Sequence, residues 1–119
     1  MDVQTAEAEI RLLMESTKRK YFPELENIIF QIEKKPEIDG IAMRAVFGAI
    51  TKICFYYGDD KVLRTKYRMG LVPVIAHELA HLINPTDPEQ VMAERLPEQI
   101  VQLWVELRKA GLAICSMDS

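Results

Sequence analysis

The chain opens with apolar residues at helical spacing. From Thr5 onward, the residues that share one helical stripe are Ile10, Leu13, Met14 and Tyr21. Acidic residues come early in this segment and Lys18 to Lys20 come late, an order that complements the helix dipole. Pro23 marks the end of the pattern. We therefore expect an amphipathic N-terminal helix with a solvated outer face.

The period then changes from helical to alternating. In the segment NIIFQIEKK, which starts at Asn27, alternate positions are β-branched or aromatic, which favours a strand. A second β-rich span lies between Gly40 and Gly58, and Gly48 is placed to turn it into a hairpin. These patterns predict an α+β fold with a small, three-stranded, mostly antiparallel sheet.

A second helical pattern runs from about Thr65 to Ile83. Its apolar positions, Ile75, Leu79 and Leu82, lie on one face. Pro73 leaves two interpretations open at its start. Either the helix begins near Pro73, or a longer helix kinks there.

The last part of the chain predicts helical segments on both sides of Pro97. Asp87 is a good N-cap and Pro88 suits the first helical position, so a helix should begin there. Pro97 removes a backbone donor, so this helix kinks or restarts at that point. An apolar stripe follows and should end near Gly111: Ile100, Val101, Trp104 and Leu107.

Composition narrows the classes of protein to consider. A chain of 119 residues fits one domain, residues 1–119, and its 28% of charged residues leaves enough apolar residues for a core. The net charge of -3 is scattered, which argues against nucleic acid as a partner. The N-terminus lacks a signal-peptide pattern, and charged residues interrupt every apolar run, so we expect a cytoplasmic protein outside the membrane. Cys54 and Cys115 form no C-x-x-C pair and are expected to be free thiols, with Cys54 buried.

The stretch VIAHELAHLINP carries the candidate chemistry. It holds both histidines of the chain, His77 and His81, which one helical turn separates. Residues four apart lie on one side of a helix, so both imidazoles can bind one Zn²⁺ ion. Glu78 is about 100° around the helix from His77, where it flanks the ion and can act as a general base. The pattern H-E-x-x-H therefore predicts a zinc-dependent hydrolase, most simply a metallopeptidase.

Catalytic zinc usually has three protein ligands, and the chain has no third histidine. The candidates are glutamates of the next helix: Glu89, Glu94 and Glu98. Glu89 ranks last, because it falls in the first turn, next to a loop too short to fold back easily. Glu94 is favoured as the ligand, since the helix is continuous from its cap to that residue. Glu98 either supports the site through a hydrogen bond or is a solvated surface carboxylate.

HELAH followed by a helix bearing AERLPE resembles the gluzincin metallopeptidases, and the short chain is most similar to the minigluzincins. The resemblance implies a minimal zincin-like domain: an N-terminal helix, a small sheet, an active-site helix and a C-terminal glutamate helix. It also implies that Glu94 binds the metal while Glu98 supports a histidine. An edge strand within residues 50–57 would then pair with a peptide or protein substrate.

The resemblance leaves an oxyanion-stabilising residue to be found, and by type alone the candidates are Tyr56, Tyr57 and Tyr67. It also suggests that residues 113–119 could inhibit the cleft. Two alternatives to a general peptidase follow. One is a catalytically weak or autoinhibited zinc-binding domain that self-associates, and the other is a regulatory peptidase with one dedicated protein target.

Overall fold

A computed structural model describes residues 2–64 and 68–109 of the chain. Within these residues the fold is α+β, with five helices and three strands. The elements in chain order are α1 (Val3–Tyr21), β1 (Ile28–Lys34), β2 (Ile41–Val46), β3 (Thr51–Tyr57), α2 (Asp60–Arg64), α3 (Arg68–Ile83), α4 (Pro88–Arg95) and α5 (Glu98–Lys109). In this described part, no helix is both long and apolar enough to cross a membrane.

Helix α1 follows its sequence pattern closely. The Asp2 side chain caps it by accepting a hydrogen bond from the Thr5 amide at 2.7 Å. Its inner face is buried at Ala6, Ile10, Met14 and Thr17, each three or four residues after the last. At the other end, the Phe22 amide donates to the Lys18 carbonyl, so the helix closes just before Pro23. The predicted N-terminal amphipathic helix is confirmed, with its first turn earlier than Thr5.

The sheet is mixed, so the prediction of a mostly antiparallel sheet is corrected. Its strand order is β1-β3-β2. Strand β2 pairs antiparallel with β3 as the predicted hairpin, whereas β1 pairs parallel with β3. The hairpin leaves two edges at which β1 could add, and the alternation of β1 specifies the buried face but not the neighbour. Strand β3 is therefore central, and the expected substrate-binding edge within residues 50–57 is wrong.

The helices cover one face of this sheet. Met43, Ile53 and Phe55 belong to the same apolar cluster as the inner residues of α1 and α3, and the partly buried Phe30 packs against that cluster. The other face carries alternate residues such as Ile29, which is 46% exposed. Cys54 is a buried free thiol, as predicted, and Cys115 lies outside the described residues. The sheet and α1 together hold α3 in the centre of the fold.

The end of the sheet near Tyr57 depends on a close approach of two backbone segments. The Gly58 amide donates to the Gly40 carbonyl at 2.9 Å, and Gly40 itself has a φ of 92°. A Cβ atom on Gly58 would lie 2.1 Å from the Ile38 carbonyl oxygen. The loop between β1 and β2 therefore packs on position 58 only when that residue has no side chain.

Tyr57 links this sheet to α1, and its replacement by phenylalanine should give a pH-dependent loss of stability. Its hydroxyl donates to Glu7 Oε2 at 2.7 Å. Burial, and then the hydrogen bond to the Glu7 carboxylate, raise the pKa of Tyr57 from 10.0 to about 12. At pH 7 we expect Tyr57→Phe to lower the free energy of unfolding by about 1.5 to 3 kcal/mol, as for a hydrogen bond to a charged group.

This difference should shrink as the pH rises from about 10 to about 12. The unfolded chain loses the Tyr57 proton first, so the parent protein is progressively destabilised in that interval, whereas the phenylalanine variant has no such proton to lose. Urea unfolding at a series of pH values measures both free energies. A difference that stays constant up to pH 12 would contradict the assigned hydrogen bond.

Candidate metal centre

Helix α3 carries the H-E-x-x-H motif through the middle of the molecule. The helix begins at Arg68, so Pro73 lies inside it, and the interpretation in which the helix starts at Pro73 is wrong. Ile75 and Leu79 are fully buried on its core face. The motif is thus held on a rigid, packed element, as a site with defined geometry requires.

The structure brings His77, Glu78 and His81 together. The two imidazole rings are 4.6 Å apart between centroids and meet edge to face, at 81°. One ligand atom from each of the three residues lies within 4.8 Å of the others. His77 and Glu78 are only 6% and 1% exposed, so these donors are largely removed from water.

The two nitrogens of His77 face two different carboxylates. Its Nδ1 lies 3.5 Å from Glu78 Oε2, and its Nε2 lies 3.8 Å from Glu89 Oε2. Among the described residues, the buried Nδ1 finds no hydrogen-bond partner. Two imidazoles with nearby carboxylates match the donors that Zn²⁺ prefers, so these residues fit a divalent metal ion.

Glu89, the lowest-ranked candidate from the sequence, is the one of the three candidates with a recorded contact to a histidine, since its Oε2 lies 3.8 Å from His77 Nε2, although it does not belong to the group of His77, Glu78 and His81. Glu94 is exposed, and its Oε2 instead accepts a hydrogen bond from the Gln90 side chain at 3.0 Å. The structure does not place Glu94 in the His77 group. The reason is helical geometry: Glu94 lies five positions after Glu89, so the two side chains point about 140° apart around α4.

The loop between α3 and α4 explains why Glu89 reaches His77. Asn84 Oδ1 accepts from the backbone amides of Thr86 and Asp87, both at 3.2 Å, which folds the loop into a tight turn. Asp87 then caps α4 by accepting from the Gln90 amide. The shortness of the loop, which argued against Glu89 in the sequence, is what sets the first turn of α4 against α3.

Glu98 stands apart from the other predicted site residues. Helix α4 ends at Arg95, Leu96 is extended with a ψ of 152°, and Glu98 begins the separate helix α5. The helix restarts at Pro97, so Glu94 and Glu98 do not share a helical face. Glu98 is exposed at the surface of α5.

Two residues of α5 complete the surroundings of the histidines, and the sequence interpretation missed both roles. The Trp104 ring stacks on His77 at 4.1 Å between centroids and 20° between planes. One turn later, Arg108 Nη1 lies 2.6 Å from Glu89 Oε2. The sequence feature that could have indicated these roles is the four-residue spacing of Trp104 and Arg108, because it places both on one face of an amphipathic helix. Trp104 was assigned only to the apolar stripe, which is correct for its burial.

A cavity of about 330 Å³ opens between these elements. Both histidines, Glu89, Trp104 and Arg108 line it. This volume is at the small end of the range for ligand pockets and accommodates a few atoms of a substrate beside a metal ion.

The tyrosines suggested for oxyanion stabilisation are engaged elsewhere or not described. The Tyr57 hydroxyl donates to Glu7. Tyr56 lies on the opposite face of β3, with the Lys35 ammonium 4.3 Å from its ring centroid. Tyr67, Gly111 and the suggested inhibitory segment 113–119 lie outside the described residues.

Comparisons of the chain with protein-family models, with curated proteins and with solved structures found no match. The gluzincin resemblance therefore rests on the sequence motif, and it stays a prediction.

Proposed function

We propose that the chain is a zinc-dependent metallopeptidase that hydrolyses peptide bonds. The observation that carries this proposal is the gathering of His77, Glu78 and His81 within 4.8 Å on a buried helix. Zn²⁺ bound by such donors would polarise a substrate carbonyl and make a water more acidic.

His77 and His81 serve as two of the metal ligands. For the third we propose Glu89 in place of Glu94, because the Glu89 carboxylate already lies 3.8 Å from His77 Nε2. Glu89 lies outside the group of His77, Glu78 and His81, so its side chain would have to move to share an ion with His81. Glu94 would require the first turns of α4 to rotate away from α3.

Glu78 serves as the general base. Its carboxylate lies within 4.8 Å of the histidine donors, so it is in reach of a water held beside them. Glu78 takes the proton of that water as the water attacks the carbonyl, and passes the proton to the leaving amine. Its 1% exposure keeps this transfer away from bulk solvent.

The outer edge of β2, which pairs with no other strand among the described residues, is the proposed docking place for an extended substrate. Helix α3 packs directly against β2, whereas β3 is central and has no free edge. The other edge strand, β1, is partly covered because Arg11 Nη1 donates to the Phe30 carbonyl at 2.5 Å. A peptide added to β2 by backbone hydrogen bonds would lie on the side of the sheet nearest the motif helix.

A second candidate function is a metal-stabilised domain without turnover. It is favoured by Trp104, which stacks on His77 and leaves that imidazole only 6% exposed. Zinc would then raise the melting temperature, while no peptide in a broad library would be cut at any protein concentration. Cleavage of one protein target alone would instead indicate the regulatory peptidase, and pull-down with Glu78→Gln would recover that target.

Metal binding by matched variants tests the site itself. We expect calorimetry to find one Zn²⁺ per native chain, and Glu89→Gln to weaken that binding by at least about tenfold because it removes a ligand oxygen. Glu94→Gln is the matched control, since it makes the same substitution on the same helix at an exposed position, and it should bind like the native chain. Loss of binding in the Glu94 variant but not the Glu89 variant would reverse the assignment. Native-like binding by both His77→Ala and His81→Ala would end the proposal.

A further inference from the structure

We propose that Arg108 is a positioning residue that competes with the metal ion for Glu89, so that α5 sets the metal affinity of the site. The inference rests on the proposed function and extends it to the regulation of the same site. The juxtaposition that carries it involves one oxygen atom. Glu89 Oε2 lies 2.6 Å from Arg108 Nη1 and 3.8 Å from His77 Nε2.

An oxygen that accepts a hydrogen bond from a guanidinium has part of its lone-pair density engaged and is a poorer metal ligand. The guanidinium also repels a divalent cation at this short range. Both effects act in the same direction: Arg108 holds the Glu89 carboxylate while no ion is bound, and an incoming ion must displace it or share it at a cost.

Trp104 links the transfer of Glu89 from Arg108 to the ion with the packing of α5 against α3. It lies one helical turn before Arg108 and stacks on His77 at 4.1 Å. Within the described residues, its Nε1 and His77 Nδ1 are both buried without a hydrogen-bond partner. Polar atoms in that condition destabilise the arrangement that buries them. Because the indole contacts the His77 imidazole directly, a metal ion that binds His77 and takes Glu89 from Arg108 changes the surroundings of the indole.

The strength of the ion pair between Arg108 and Glu89 decides whether Arg108 prevents metal binding or only lowers the metal affinity. The side chains of Arg108 and Glu89 are 66% and 42% exposed, and solvent-exposed ion pairs are weak. Removal of the arginine should therefore tighten zinc binding only about two- to fivefold. Arg108 lowers the affinity without preventing occupancy.

Zinc titration of the full, chelator-treated chain tests the proposal, with calorimetry for the affinity and fluorescence of the sole tryptophan for the position of α5. We expect Arg108→Gln to bind Zn²⁺ about two- to fivefold more tightly than the native chain. Arg108→Lys, which keeps the charge, should fall close to the native affinity. Lys109→Gln removes a neighbouring charge on α5 and should leave the affinity unchanged.

The fluorescence gives a readout that a purely structural role of Arg108 would not move. Zinc should change the Trp104 emission of the native chain, and metal-free Arg108→Gln should already show part of that change. Weaker or unchanged zinc binding by Arg108→Gln would overturn the competition, the first by showing that the arginine orients Glu89 for the ion. A native chain that binds no zinc would overturn the proposed function together with this inference. A native chain that binds zinc, with Arg108→Gln binding no more tightly, would overturn this inference alone, so the two failures are distinguishable.

Discussion

Glu78→Gln should abolish peptide hydrolysis while the protein continues to bind zinc. Glutamine has the shape of glutamate but cannot accept the proton of the attacking water, and general-base catalysis contributes at least about a hundredfold to a rate. The side chain is 1% exposed and its carboxylate lies beside His77, so no other base can easily take its position. Cleavage of a fluorogenic peptide library, together with zinc content per chain, measures both properties.

Two control variants separate catalysis from metal binding in this experiment. His81→Ala should lose zinc and activity together, whereas Glu94→Gln should keep both, because Glu94 is exposed and bonded to Gln90. Full activity in Glu78→Gln would eliminate the proposed mechanism. Zinc binding with no cleavage by the native chain would instead favour the metal-stabilised domain.

Gly58→Ala should destabilise the fold by about 1 to 3 kcal/mol, the range for overpacking a site that cannot expand. The added Cβ would lie 2.1 Å from the Ile38 carbonyl oxygen, which belongs to backbone and not to a flexible side chain. The strand end or the loop before β2 must therefore move, and the hydrogen bond from the Gly58 amide to the Gly40 carbonyl would be strained. Urea unfolding followed by circular dichroism measures the free energy.

Gly70→Ala is the matched control for this substitution. Gly70 lies in α3, and among the described residues a Cβ built on it meets no heavy atom within 4 Å beyond its chain neighbours and the backbone of its own helix. Alanine is the better helix former, so this variant should be more stable than the parent by about 0.5 to 1 kcal/mol. If Gly58→Ala unfolded at the same urea concentration as the parent, the close packing of the loop on Gly58 would be disproved.

The sequence predicted most elements because each follows from local rules. Asp87 caps α4 through its own side chain, and Pro97 separates α4 from α5 because it cannot donate a hydrogen bond. The hairpin of β2 and β3 was predicted for the same reason, since its turn and alternation are local. The parallel pairing of β1 was not, because nothing in the period of a strand selects which neighbour it joins.

The same distinction between local and tertiary contacts applies to the candidate site. The sequence by itself determined that His77 and His81 lie on one side of a helix with Glu78 next to them, because residues four apart on a helix are neighbours in any fold. Only the tertiary structure decided that Glu89 lies against His77, and that Trp104 and Arg108 cover the pair. Those contacts join α3 to α4 and α5, and they depend on how a turn at Asn84 and a break at Pro97 orient whole helices, which the spacing of residues along one helix does not specify.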